Sequence, residues 1–381
     1  MKKIFSIIAG LALVCVLLMT SVISDEVNAY GAKPAGKSTV VTITFNASGG
    51  TLVKSKQTKK VTRGKSYGAL PTPTRSGYVF RGWYTKKTAG TLISAQRVVK
   101  TALSKKTLYA HWEKCYKITF DANGGTTPVK SKEILYMATY GNLPVPTRAE
   151  YYFMGWYTQK TGGTLLTSTT TYKQKKNRTV YAHWGKQTKI ACVGASITYG
   201  SGLSSRSKTC YPAQLQELLG ETYLVKNFGI KGTTIGRPSS APYTDTSQFA
   251  DAIDFKPDIV IILMGTNDAQ PRNWKDSAQF ESDYHDIFTF FSLLPSTAKV
   301  YTASLPDIIG GPGAGFNLTA LSEINGVISA YNTAQGIPII DVASAIAGNQ
   351  YYYQGDGIHM NEYGAEMIAR TAYDILINVA Q

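Results

Sequence analysis

Hydrolysis of an ester by a serine needs an exposed hydroxyl, a base to take its proton, and a third group to orient that base. Residues 190–202, Ile-Ala-Cys-Val-Gly-Ala-Ser-Ile-Thr-Tyr-Gly-Ser-Gly, offer the first of these. An apolar run of small and β-branched residues ends abruptly at Gly194-Ala195-Ser196, as a buried strand does when it delivers a serine onto a tight turn. The base follows by elimination. Beyond residue 189 the histidines are His285 and His359, and His285 lies within a helical pattern at 276–294 where a solvated or capping role is expected. Asp356, three residues before His359 on a glycine-containing loop, can turn back onto the other ring nitrogen and fix the tautomer. Ser196, Asp356 and His359 are therefore the expected catalytic residues.

Such residues need a scaffold that brings positions far apart in sequence to one edge. Strand-like runs at 190–193, 223–228, 258–264, 299–304 and 337–342 alternate with helical ones at 211–219, 246–255, 276–294, 318–334 and 361–379. Strand-then-helix units in this series predict an α/β, three-layer, doubly wound parallel five-stranded sheet with helices on both faces. Ligands bind beyond the carboxyl ends of the strands in such sheets, and every candidate residue falls at those ends or in the loops after them. Tyr243 and Trp274, in loops after the second and third strands, are substrate-binding candidates able to stack on a sugar ring; core or loop packing is the alternative for both. The glycine-rich loop at 310–315 follows the fourth strand and is a candidate pocket wall.

In order along the chain, the serine turn, Asn227-Phe228-Gly229-Ile230-Lys231-Gly232, Gly265-Thr266-Asn267-Asp268 and Asp356-Gly357-Ile358-His359 resemble the four blocks of the SGNH, or GDSL-type, hydrolases. The resemblance implies a flavodoxin-like sheet and ester hydrolysis without metal or organic cofactor. It also implies an oxyanion hole made by the backbone N–H of Ser196, a backbone N–H at Gly232 and the side-chain amide of Asn267. Those residue types suit the task, since glycine lets backbone approach a substrate and an uncharged amide donates without neutralising the base. Gly229 is then expected to be a turn residue and Asp268 a loop-capping carboxylate. One departure is plain: Ala195 stands where the family usually has aspartate. The triad acid comes from the last block, so activity is expected to survive, while the network that holds the serine turn is in question. Met360, where proline often follows the histidine, matters less. Residues 211–219, Asn227-Phe228-Gly229 and residues 257–261 resemble the carbohydrate acylesterase branch, which implies removal of short acyl groups, acetyl above all, from glycans. The alternatives are a lipid or thioester acylhydrolase, which would prefer longer chains, and a non-catalytic adhesin whose hydrolase domain is degenerate at Ala195.

With 381 residues the chain exceeds what one core normally organises, and it repeats itself before residue 186. Residues 41–51 return at 116–126, Gly82-Trp83-Tyr84-Thr85 returns as Gly155-Trp156-Tyr157-Thr158, and Leu108-Tyr109-Ala110-His111-Trp112 returns as Val180-Tyr181-Ala182-His183-Trp184. Period-2 alternation and Asn/Gly turns predict two small β-rich modules. These landmarks resemble the internalin-type B-repeat, or Listeria-Bacteroides repeat, which implies a β-grasp-like module of bacterial surface proteins. Core packing is expected for Trp83, Trp112, Trp156 and Trp184, and a shared structural role for His111 and His183.

Charge separates the parts. Residues 30–189 hold 28 Lys or Arg against 4 Asp or Glu, whereas residues 190–381 hold 10 against 18. The basic repeats are expected to attract an anionic cell-wall polymer or acidic polysaccharide. No nucleic-acid motif accompanies the charge, and no membrane partner is expected beyond the signal segment. That segment, residues 4–23, is apolar, preceded by Lys2 and Lys3 and followed by Val27-Asn28-Ala29, the pattern of a secretory signal cut after Ala29; an uncleaved anchor is the alternative. A secreted, extracellular or surface-associated bacterial protein follows, with retention at a surface a hypothesis of its own. No bridge is expected between Cys192 and Cys210. The expected division is a signal peptide at 1–29, a linker at 30–39, modules at 40–114 and 115–185, and a hydrolase domain at 186–381.

Overall fold

The structure is a computed structural model that describes residues 39–100, 105–237, 239, 241–310 and 315–379. The expected signal peptide, nearly all of the expected linker and residues 311–314 of the glycine-rich loop lie outside the described residues. The chain divides into two compact units, Met1–Lys114 and Cys115–Gln381.

In the first unit β1 (Val40–Asn46) alternates as its sequence dictates, with Val41, Ile43 and Phe45 turned inward. It pairs antiparallel with β2 (Thr58–Thr62), while β3 (Tyr78–Tyr84) forms a hairpin with β4 (Leu92–Ile93). Residues 105–114 of β5 (Lys105–Asp121) lie parallel to β1 and antiparallel to β3, with a bulge between Phe80 and Gly82. Trp83 is buried against Phe45, and its indole N–H donates to Pro71 O at 2.7 Å. Trp112 is half-buried and donates to Ala47 O at 2.8 Å.

The second unit begins with residues 115–121 of β5 and repeats the arrangement with β6 (Ser131–Leu135), β7 (Tyr151–Tyr157), β8 (Leu165–Leu166) and β9 (Arg178–Lys186). Trp156 donates to Pro144 O at 2.7 Å and Trp184 to Ala122 O at 2.9 Å. The histidines match as well: His111 stacks on Tyr84 at 3.8 Å and His183 on Tyr157 at 3.9 Å, both at 8°. Among the described residues of the first module the helical element is a single 3-10 turn, Lys54–Lys56.

Only Gln187 separates β9 from β10 (Thr188–Gly194). The rest of the unit alternates in the order α1 (Ser196–Tyr199), α2 (Arg206–Thr209), α3 (Tyr211–Leu219), β11 (Tyr223–Gly229), α4 (Ser247–Asp254), β12 (Ile259–Leu263), α5 (Ser277–Ser292), β13 (Lys299–Thr302), α6 (Leu318–Gln335), α7 (Val342–Ile346) and α8 (Glu362–Val379). The four strands are parallel in the order β11-β10-β12-β13. Residues 190–193 and 260–263 are almost fully buried, which explains their unbroken apolar character. α3 packs on α8 and α5 on α6, the pairing expected if right-handed crossovers put one pair on each face of the sheet.

The expected fifth strand is reduced to one parallel bridge, Ala303 to Ile340. Ile340 exchanges both ladder bonds, its N–H donating to Thr302 O at 2.9 Å and its carbonyl accepting from Ser304 N at 3.1 Å. On one side Pro338 has no N–H to give; on the other, Asp341 already caps α7. The regular sheet therefore has four strands. Among the described residues no helix is long and apolar enough to cross a membrane.

The second repeat meets the α/β part without a spacer. Gln187 N donates to Glu150 O at 3.0 Å, and its side-chain amide donates to Glu221 O at 2.9 Å and Tyr223 O at 3.2 Å. The Lys189 side chain, 8% exposed, reaches Glu150 at 3.3 Å and lies 5.0 Å from the Phe255 ring centroid. Removing the carboxylate leaves an ammonium enclosed without its counter-charge. Glu150→Gln is expected to cost about 1 kcal/mol and to lower one cooperative unfolding transition shared by the repeat and the α/β part. Two separate transitions in the unchanged protein, followed by urea titration, would contradict this coupling.

Candidate active site

The strand order reverses direction between β10 and β12, since the chain moves from β10 outward to β11 and then returns to the other side. A crevice opens beyond the carboxyl ends of strands at such a point. Ser196 stands there, as the first residue of α1 after Gly194 and Ala195. The turn is tight: a Cβ at Gly194 would lie 2.0 Å from Thr198 Oγ1 and 2.5 Å from Leu263 O. A Cβ at Gly229 would lie 2.3 Å from Tyr199 N. Gly229 thus ends β11 and lets α1 press onto it, which corrects its expected role as a turn residue.

The turn holds without an aspartate at position 195. Ala195 is buried, and its carbonyl accepts from Tyr199 N at 2.9 Å. Asn227 anchors the other end of α1: its side-chain N–H donates to Thr198 O at 2.7 Å, while its Oδ1 accepts from Gly229 N at 2.8 Å. Sequence reasoning marked Asn227 only as the start of a block. Its bonding role follows from pairing of β10 with β11, which no local pattern reveals.

His359 Nε2 is 2.9 Å from Ser196 Oγ, and His359 Nδ1 is 2.6 Å from Asp356 Oδ2. An ionised carboxylate can only accept, so Nδ1 carries the proton and Nε2 is left to accept from the serine. Asp356 uses its other oxygen on the loop itself, Oδ1 accepting from the N–H groups of Ile358 and His359, both at 2.9 Å. Burial pulls the Asp356 carboxyl upward, but the bonds from His359 and from this backbone outweigh it and hold the group below its ordinary range. The three residues stay shallow, with the His359 side chain 25% and the Asp356 side chain 43% exposed.

The loop after β11 carries Gly232, exposed, with nothing within 4 Å of where a Cβ would stand. Asn267 sits in the 3-10 turn after β12, and its Nδ2 donates to Thr233 O at 2.9 Å. An amide nitrogen has two N–H bonds, so this contact orients the group and leaves a second donor. Asp268 caps the same loop, accepting from Gly236 N at 2.7 Å and Ile235 N at 3.2 Å.

Tyr243 does not face this site. It is fully buried, donates to Phe228 O at 2.8 Å and packs edge-on against Phe249, so sugar stacking at Tyr243 is withdrawn. Trp274 is half-buried and lines a different small cavity, with Asp268, Asp283 and Phe280, that does not include Ser196 or His359. His285 on α5 bonds Tyr331 Oη of α6 at 3.0 Å. Cys115, Cys192 and Cys210 are free and buried; burial pushes the Cys192 thiol far above its usual range.

The profile of the GDSL-like lipase/acylhydrolase family matches residues 192–367. Those residues form a GDSL-like hydrolase domain. The Listeria-Bacteroides repeat profile matches residues 42–111 and 116–183, so two such repeats precede the GDSL-like domain. An acetylxylan esterase of Xylanibacter ruminicola is 34% identical over 200 residues, 48% of this chain and 41% of that protein. Internalin H of Listeria monocytogenes is 36% identical over 115 residues, 30% of this chain and 20% of that protein. The chain thus spans less than half the length of each of these relatives. Among solved structures, a carbohydrate acetylesterase from Sinorhizobium meliloti is similar with a TM-score of 0.45 at 16% identity, covering 51% of this chain and 100% of that one.

Asp268 gives the domain a pH signature. Its burial, against the opposing pull of the backbone N–H groups, pushes the carboxyl from an ordinary value of 3.8 up to about 7. The folded state then holds this proton more tightly than the unfolded chain does, so the contribution to stability falls as pH rises from about 4 to about 7 and is level above. Asp268→Asn is expected to flatten that decline, which is at most on the order of 4 kcal/mol, in melts recorded across the interval. An unchanged slope in the variant would place the titration elsewhere.

Proposed function

We propose that residues 186–381 form a serine esterase that removes acetyl and other short acyl groups from glycans, with Ser196 as nucleophile, His359 as general base and Asp356 as its orienting acid. The observation that carries this reading is the continuous relay from Ser196 Oγ through His359 to Asp356, 2.9 and 2.6 Å, at the carboxyl edge of the sheet. His359 Nε2 takes the hydroxyl proton as Ser196 Oγ bonds to the ester carbonyl carbon. The developing oxyanion is received by the backbone N–H groups of Ser196 and Gly232 and the free amide N–H of Asn267. Collapse breaks the bond to the sugar oxygen, which leaves as an alcohol with the proton from His359. Water then attacks the acyl-serine, gives a proton to His359, and releases the carboxylic acid as Ser196 recovers its hydrogen.

Similarity to an acetylxylan esterase supports a glycan as the alcohol side. The same similarity supports a small acyl group over a long chain. The division into a signal peptide, a linker, repeats at 40–114 and 115–185 and a catalytic domain is part of the same reading, as is a β-grasp-like character for the repeats. Their 28 basic against 4 acidic residues over 30–189 support attachment to an anionic polymer outside the cell, in a secreted or surface-held protein.

Acyl release by the full chain and by Ser196→Ala, on acetylated xylan and on acetyl, octanoyl and palmitoyl esters, tests the catalytic part. Acetate release is expected to fall by at least about 10⁴-fold in the variant, and the unchanged protein to prefer the shortest acyl group. Equal activity of the two proteins removes the catalytic reading, and preference for palmitoyl replaces glycan with lipid. Retention on an anionic wall polymer is expected to weaken strongly between about 0.1 and 1 M salt, as the screening length drops from ~10 to ~3 Å. Salt-insensitive retention would rule out charge as its cause.

A further inference from the structure

Gln354 belongs to no motif, yet its side chain joins the two halves of the site. Its Nε2 donates to Ser201 O and to Met360 O, both at 2.7 Å. Ser201 lies at the end of the nucleophile turn, and its own N–H donates to Ser196 O at 3.0 Å. Met360 follows His359, whose carbonyl accepts from Gln354 N at 2.8 Å. One amide thus uses both of its N–H bonds on two carbonyls, one beside the nucleophile and one beside the base. The side chain is laid flat over Gly202: a Cβ there would sit 1.9 Å from Gln354 Oε1. A residue other than glycine at 202 would lift the amide off its partners.

We propose that Gln354 is a positioning residue that sets the distance between Ser196 and His359; this inference rests on the catalytic reading above. Each half is otherwise rigid by itself. Asp356 fixes His359 through the ring and through two backbone N–H groups of its own loop. Asn227 fixes α1 against β11. What those bonds leave open is the placement of one half against the other. Among the described residues, the hydrogen bonds that cross from 196–202 to 353–360 are Ser196 to His359 and Gln354 to Ser201. The first must break and re-form during turnover, so the second is the one that can hold position throughout. Gln354 acts through the backbone of Ser201 and Met360 and does not touch the reacting atoms.

The test uses the full chain with Gln354→Met, which keeps shape but not donors, Gln354→Glu, which turns an acceptor toward both carbonyls, and Gln354→Asn, which keeps the amide on a shorter stem. Ser201→Ala is the control: it keeps the carbonyl and removes a hydroxyl that is buried without a partner. Readouts, taken well below the melting temperature, are kcat and KM on 4-nitrophenyl acetate, the rate of Ser196 labelling by a fluorophosphonate, and the downfield proton resonance of His359 Nδ1. For Met and Glu, kcat and labelling are expected to fall about tenfold or more, with KM within about twofold. The downfield resonance is expected to persist, because the Asp356 bond is internal to its loop. Gln354→Asn is expected to fall between these and the unchanged protein. Full kcat and labelling in the Met and Glu variants, with only a lower melting temperature, would reduce Gln354 to a structural support and overturn the inference. If either variant is unfolded at assay temperature, the Asn variant decides on the same readouts. Ser196→Ala separates the two claims: if it is as active as the unchanged chain, the catalytic reading itself fails.

Discussion

Ser196 Oγ and His359 Nε2 stand 2.9 Å apart although their residues are 163 positions apart in sequence. A hydrogen bond of this kind tolerates only a few tenths of an ångström before it weakens, so both ends must be built on elements that cannot drift. The parallel sheet answers that demand. β10 is central, paired on both sides and almost fully buried along 190–193, so the serine turn starts from a rigid point. The close approaches at Gly194 and Gly229 then fix α1 against that point, and any side chain at either position would push Ser196 away.

Two kinds of polar bonding complete the site, and they differ in range. The Asp356 carboxylate is local: it closes its own loop through Ile358 and His359 and holds the ring with its remaining oxygen. The amides of Asn227, Asn267 and Gln354 are long-range, each tying one segment to another through a backbone carbonyl. An amide is suited to this task because it donates and accepts without charge. A buried charge near the serine would shift the base or demand a counter-ion. This also explains how the turn stands with Ala195 in place of the usual aspartate: Asn227 on the adjacent strand already supplies the bond that restrains α1.

Most of the scaffold was legible because its signals are local. Burial on both faces leaves β10 and β12 unbroken runs of apolar residues, and the helix starts at Thr246, Asp276 and Asn317 carry side-chain caps that residue type alone suggests. The grouping of Ser196, His359 and Asp356 was legible because Asp356 and His359 sit three residues apart and Ser196 follows a strand. What sequence missed is what depends on pairing between distant segments. The run at 337–342 looks like a strand, but Pro338 and the cap of α7 leave room for one bridge. Tyr243 looks like a loop aromatic, but the loop folds inward and its hydroxyl satisfies Phe228 O in the core. Gln354 is one glutamine in a loop, with no periodicity to mark it.

The repeats follow a different logic, in which the same contacts are made twice. Each tryptophan of the Gly-Trp-Tyr-Thr segment donates to the carbonyl of a proline twelve positions earlier, and each histidine stacks on the tyrosine of that segment. Trp83 and Trp156 are consumed by the cores of the modules and each histidine is closed on its tyrosine, which leaves charge as the distinctive property of the module surface. That charge is strongly positive, whereas the GDSL-like part carries 8 more acidic than basic residues over 190–381. A single anionic polymer would be drawn to the former and repelled by the latter. The proposed anionic anchor and the proposed esterified glycan would therefore meet fields of opposite sign, the first at the repeats and the second at Ser196.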